Sequence, residues 1–111
     1  MMKVYIKLTC ITCQRTLSEM ERLKLDIEKR DIFKDKLSES EVRKIIQLAG
    51  IKPRELLRKK DKMYKELDLD NPKHTDSQII KIISEYPGLV RRPIIFVKNK
   101  VIIGKFIPKP V

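Results

Sequence analysis

The sequence predicts an α/β fold, and three observations carry the assignment. Alternating apolar residues at 4–8 are followed by a helical apolar repeat and then by a second alternating stretch at 25–33, giving strand, helix and strand within about thirty residues. A long helical region follows, and the last third turns to short β-branched runs. A βαβ start of this kind makes the first two strands parallel, with the helix on one face. At 111 residues the chain has room for one core, so a single domain is expected. It divides into a βαβ half (1–33), a helical insertion (38–86), a β-hairpin (93–104) and an extended tail (105–111).

Each element has its own local reason. Val4, Ile6 and Leu8 alternate with Tyr5 and Lys7, the period of a strand with one buried face. Leu17, Met20 and Leu23 recur at helical spacing among charged residues, which predicts an amphipathic helix over 12–24. Leu25 and Ile27 alternate with Asp26 and Glu28 ahead of Ile32 and Phe33, a second strand. Ser38 and Glu41 make a capping box, Val42, Ile45, Ile46 and Ala49 supply an apolar stripe, and Gly50 stands where a C-terminal cap belongs, so 39–49 is a helix. Pro53 suits the first turn of another, shorter helix through "RELLRKK". Thr75 and Gln78 repeat the capping box before Ile79, Ile80, Ile82 and Ile83, and Pro87-Gly88 ends that helix. "PIIFV" and "VIIG", separated by "KNK", read as an antiparallel hairpin in which Asn99 takes the positive φ. The two prolines of "KFIPKPV" predict an extended tail.

Composition narrows the function classes. Apolar residues make up 41%, yet no run approaches the ~20 residues of a membrane span. Lys3 and Lys7 interrupt the N-terminal apolar stretch, so no signal peptide is expected and the predicted location is the cytoplasm. The net charge of +11 is uneven: residues 1–50 carry 11 basic and 8 acidic side chains, residues 51–111 carry 15 and 7. Such a field draws anions of any kind. With no Trp, three Phe and three Tyr, the sequence offers no evident stacking platform and no unbroken basic helical stripe, so direct nucleic-acid binding is not expected.

The two cysteines, Cys10 and Cys13, stand at the junction of the first strand and helix. A helix N-terminus stabilises an anion, and a thiolate placed there has its pKa drawn down. Cys10 is the candidate nucleophile, and Cys13, one turn on, the candidate resolving thiol. Three alternatives share the pair: redox chemistry, half of a zinc site and an inert pair. A zinc site would need two further ligands, and the sole histidine, His74, falls in a distant turn, so no metal and no cofactor are expected. Arg58, with Lys59, Lys60 and Lys62, reads either as an anion site or as a solvated helix face. Arg91 and Arg92 enter a β-branched strand, where a buried cation demands an anionic partner.

Cys10-x-x-Cys13 followed by Thr16-Leu17, "GIKPRELLRKKDKMYKEL" at 50–67 and "YPGLVRRPIIF" at 86–96 resemble the arsenate reductase family, which also contains the Spx regulators. The likeness runs nearly end to end without gaps. It implies a thioredoxin-like fold: a mixed four-stranded sheet with a helical insertion between the second and third strands. It further implies that the Arg92–Pro93 peptide is cis and faces the cysteine loop. By the same resemblance Cys10 attacks arsenate, and three cations hold the oxyanion: Arg58 in "LLRK", Arg92 in "RRP" and, where the family has a third arginine, Lys105 in "IGKF". The implied partners are a small oxyanion and a thiol donor, namely glutaredoxin, thioredoxin or a low-molecular-weight thiol. The reductases usually carry serine where Cys13 stands, and a second thiol implies an internal disulfide. The C-x-x-C pair, "RRPII" and "RDIFKDKLS" resemble Spx instead, which implies a redox-sensing transcription factor that binds the C-terminal domain of the α chain of RNA polymerase.

Overall fold

The computed structural model describes residues 2–98 and 100–104. Four strands form one mixed sheet in the order β2-β1-β3-β4: β1 Met2–Ile6, β2 Ile27–Asp31, β3 Ile94–Val97 and β4 Lys100–Ile103. β1 and β2 are parallel, and β3 is antiparallel to both β1 and β4. α1, Ile11–Arg22, connects β1 to β2, and α2 (Glu39–Ala49), α3 (Lys62–Glu66) and α4 (Asp76–Glu85) lie between β2 and β3. The α/β class, the mixed four-stranded sheet and the helices inserted between its second and third strands are all as expected.

The period of two along the strands sorts side chains to two cores. Val4 and Ile6 of β1 join Ile95 of β3 and Cys13 and Met20 of α1 in one cluster. On the opposite face Ile94 joins Val42 and Ile45 of α2, Ile79, Ile80 and Ile83 of α4, and Leu56, Leu57, Leu89 and Val90 from the connecting segments.

Helix boundaries follow their caps. Ser38 accepts from the Glu41 N–H while Glu41 accepts from the Ser38 N–H, and Gly50 ends α2 at φ 66. Thr75 and Gln78 make the same reciprocal pair ahead of α4. α1 stops at Arg22 rather than running to 24, because Lys24 adopts φ 56 and lets the Leu25 N–H reach back to the Met20 carbonyl at 3.0 Å. This is the bond of a Schellman turn, here without glycine.

Two local expectations need correction. The first strand ends at Ile6, and Leu8 lies in the following turn, 48% exposed. "RELLRKK" is not a helix: a 3-10 turn spans Pro53–Leu56, and Leu57 then extends to form a bridge with Val90. That bridge satisfies backbone groups that a helix would have used locally. α3 was not anticipated; Asp61 caps it by accepting from the Met63 N–H at 2.9 Å. At the hairpin, Lys98 carries the positive φ of 54, while Asn99 and the tail at 105–111 lie outside the described residues.

An ion pair ties β2 to α2. Arg30 donates to both carboxylate oxygens of Glu41 and to the carbonyls of Asp35 and Lys36. The Arg30 hydrogen bonds, then the Ser38 N–H, hold the Glu41 carboxyl down to about 2. A depressed carboxyl stabilises the fold above its ordinary pKa, and that contribution disappears as pH falls from 4.5 to about 2. Glu41→Gln should therefore cost about 1–2 kcal/mol at neutral pH, allowing for solvent screening, and the difference from the parent should close in acid. Urea denaturation across that range measures it.

Candidate functional site

The site begins where β1 runs out. A turn closes with the Cys10 N–H donating to the Lys7 carbonyl at 3.0 Å, and the Gln14 side chain reaches back from α1 to the Leu8 carbonyl at 2.9 Å. Cys10 is the N-cap of α1, with extended backbone, and its carbonyl accepts the first helical bond from the Gln14 N–H at 2.9 Å. Its side chain is half-buried against the α1-side core, while Cys13 one turn on is buried. Both sulfurs are free thiols.

Partial burial alone would raise the Cys10 pKa. It is outweighed by the Cys13 N–H and thiol and by the charge and N–H groups of Arg92, so the Cys10 pKa is lowered. No geometric cap bond from the sulfur is needed for this; the helix terminus acts through the field of its unpaired N–H groups. Cys13 behaves in the opposite sense. Burial first, and the neighbouring Cys10 sulfur, push it up to about 11, against the opposing Lys7 N–H and Arg92. The pair is thus divided into a sulfur poised to ionise and one that keeps its proton.

Arg92 arrives from the other side of the sheet, in the segment joining α4 to β3. The Arg92–Pro93 peptide is cis. One guanidinium nitrogen donates to the carbonyls of Gly88 and Val90, both at 3.3 Å. Its Nε is buried and has no hydrogen-bond partner among the described residues. The guanidinium carbon lies 5.3 Å from the centre of the Phe33 ring, and the Lys7 ammonium lies 4.7 Å from the same ring. Phe33 thereby joins the cysteine turn to the Arg92 segment. Sequence reasoning placed Phe33 only in a strand; its position just past β2, beside the C-terminal ends of the parallel strands, was the available signal.

Gly88 is required by a close approach. A β-carbon there would stand 2.5 Å from Asp61 Oδ2, and Asp61 is already committed to capping α3. The loop that presents Arg92 is therefore packed directly on the helical insertion.

The other expected cations are placed differently. Residues 56–58 run antiparallel to 89–91, with the Arg58 N–H on the Leu89 carbonyl at 2.6 Å and the Arg91 N–H on the Leu56 carbonyl at 3.0 Å. The Arg58 side chain lines an open basin of about 780 Å³ together with Arg54, Lys59, Lys60, Arg91 and Tyr64, a basin neither cysteine lines. Arg54 is fixed there by three carbonyls, those of Leu69, Asn71 and His74. Lys105 lies outside the described residues. The structure thus groups Cys10, Cys13 and Arg92, with Arg58 facing a separate basic surface. His74 sits in its turn with a ring nitrogen 2.9 Å from the Asp68 carbonyl.

Comparison with known proteins supports the family and the fold. A family model described as "ArsC family" matches residues 5–106. The global transcriptional regulator Spx of Bacillus subtilis is 25% identical over 118 residues, covering 100% of this chain and 90% of its own. The 118 aligned positions exceed the 111 residues, so the alignment needs gaps, contrary to expectation. A solved structure of a proposed arsenate reductase from Yersinia pestis superposes with a TM-score of 0.88 at 25% identity, covering 93% of this chain and 91% of that one. The arsenate reductase from Vibrio cholerae, at 24% identity and a TM-score of 0.86, covers 90% and 86% and shares the fold. Among the described residues, no helix is long and apolar enough to cross a membrane.

Proposed function

The chain belongs to the ArsC family, with its thioredoxin-like fold, and from that premise we propose that it is a thiol–disulfide oxidoreductase acting on an oxyanion, with arsenate as substrate. The observation that carries this reading is the buried, unpartnered Nε of Arg92 beside a thiol whose pKa is lowered. Buried polar groups are nearly always satisfied. A tetrahedral oxyanion at the sulfur would satisfy this one and bring its own negative charge to the guanidinium.

The chemistry balances within the two thiols. The Cys10 thiolate attacks arsenic, forming an S–As bond, and one arsenate oxygen leaves as water after protonation. Cys13 then attacks the Cys10 sulfur: the S–S bond forms, the S–As bond breaks, and its electron pair stays on arsenic, taking As(V) to As(III). The Cys13 proton passes to solvent as the sulfur attacks. Once Cys10 is covalently engaged, the sulfur that raised the Cys13 pKa no longer carries charge, which eases that ionisation. An external thiol donor, glutaredoxin, thioredoxin or a low-molecular-weight thiol, then reduces the disulfide. Lys105 is a further oxyanion contact in this proposal, and Arg58 becomes one only when its side chain swings from the separate basin toward the thiols.

The test is arsenite production by the purified chain with a glutaredoxin and glutathione supply. Cys10→Ser should lower turnover by about 10³-fold or more, and Cys13→Ser, in a single turnover without added thiol that the parent completes, should form no internal disulfide and release no arsenite. A second reading rests on the two thiols standing one helical turn apart and on the relatives named as transcriptional regulators. In it the Cys10–Cys13 disulfide is a switch that alters a surface for the C-terminal domain of the α chain of RNA polymerase. Absence of arsenite formation, together with redox-dependent binding of that domain, would favour the switch and sink the enzyme.

A further inference from the structure

We propose that the cleft between α2 and the sheet, on the face turned away from the cysteines, binds a nucleoside phosphate. The cleft encloses about 500 Å³ and is lined by Lys3, Tyr5, Phe96 and Lys98 from the sheet and Glu41, Lys44 and Leu48 from α2. That volume lies within the usual range for small-ligand sites, about 300–1,000 Å³.

Its lining follows from register and helical spacing. Lys3 and Phe96 are direct cross-strand partners in β1 and β3. Tyr5, two residues on from Lys3, shares that face, and its ring centre is 4.9 Å from that of Phe96, with the planes at 59°. Glu41, Lys44 and Leu48 are three and four residues apart, one side of α2. Few aromatic residues are present in the chain, but pairing across two strands brings two of the six together as one surface.

The charges favour an anion. Glu41 is committed to Arg30 and to the Ser38 N–H. No ion pair within 4.0 Å involves Lys3, Lys44 or Lys98 among the described residues. Three ammonium groups therefore rim a cleft floored by two aromatic rings, with Leu48, 37% exposed, as an apolar wall. The Arg30 guanidinium already lies 5.1 Å from the Tyr5 ring centre, so a planar base against Phe96, with a phosphate chain on the lysines, matches both parts. Inorganic phosphate would leave the rings unused, and a free nucleoside would leave the lysines unused.

Titration of the full chain with ADP, adenosine and tripolyphosphate, followed by amide NMR and calorimetry, tests the site. ADP should perturb Lys3, Tyr5, Lys44 and Phe96 and bind about tenfold or more tighter than either fragment. Lys44→Glu, on the exposed surface of α2, should weaken ADP about tenfold without disturbing the fold, and Phe96→Leu should reduce ADP affinity toward that of tripolyphosphate. Cys10→Ser should change nothing, which separates this site from the thiol chemistry. Equal affinity for ADP and tripolyphosphate, ADP affinity unmoved in Lys44→Glu, shifts confined to other residues, or no binding by ADP would each overturn the proposal.

Discussion

Arg92→Ala should raise the Cys10 pKa toward that of free cysteine and slow its alkylation by iodoacetamide at weakly acidic pH by about tenfold. Below the thiol pKa the thiolate fraction falls tenfold for each unit by which the pKa exceeds the pH, so removing a stabilising cation shows most strongly there. In alkali both proteins are ionised and the rates should converge. The guanidinium acts on Cys10 by hydrogen bonding and charge, and among the described residues it is held in place by the Gly88 and Val90 carbonyls rather than by a carboxylate. Its full charge is thus available to the sulfur. Arg58→Ala should leave the alkylation rate of the unliganded protein nearly unchanged, because that side chain lines the separate basin. A comparable loss in both variants would mean that the general basic field, not Arg92, sets the reactivity.

The second large effect is on stability. Leu56→Ala should cost about 3–4 kcal/mol, the range for emptying a fully buried leucine site, measured as a drop in the urea midpoint with an unchanged slope. Leu56 is 0% exposed within the larger core. It also lies beside the Leu57–Val90 bridge, and its carbonyl accepts the Arg91 N–H. The core and the segment carrying Arg92 are therefore coupled, and this variant should also broaden the Cys10 titration before it unfolds. A cost below about 1 kcal/mol would show that the site collapses around the cavity and that the two are mechanically independent.

Much of the fold was legible because short-range rules decide it. The capping boxes at Ser38 and Thr75, and Gly50 with its positive φ, state helix boundaries in the sequence itself, and the alternation in 4–6 sets which of those side chains face which core. What escaped was decided by distant partners. "RELLRKK" has helical composition, but Leu57 is drawn into an extended bridge with Val90, thirty-three residues away, and no local pattern announces that pairing. Lys24 closes α1 in a conformation usually left to glycine because Leu25 can bond back to Met20.

The site was legible to the same degree. The C-x-x-C pair at a strand-to-helix junction pointed to Cys10 and Cys13 on physical grounds alone. The position of Arg92 beside the thiols depends on which of two adjacent arginines turns inward, which the family resemblance indicated and strand alternation at a segment's end cannot settle. The Phe33 platform shared by Lys7 and Arg92 was invisible, since it depends on three segments meeting. Likewise, counting six aromatic residues concealed the Tyr5–Phe96 surface.

The most direct measurement is the pH dependence of alkylation at Cys10, read peptide by peptide by mass spectrometry, with and without arsenate. The account predicts a midpoint below the ~8.5 of free cysteine, with alkylation suppressed as arsenate occupies the thiolate and its arginine. A midpoint at or above that of free cysteine, indifferent to arsenate, would contradict it.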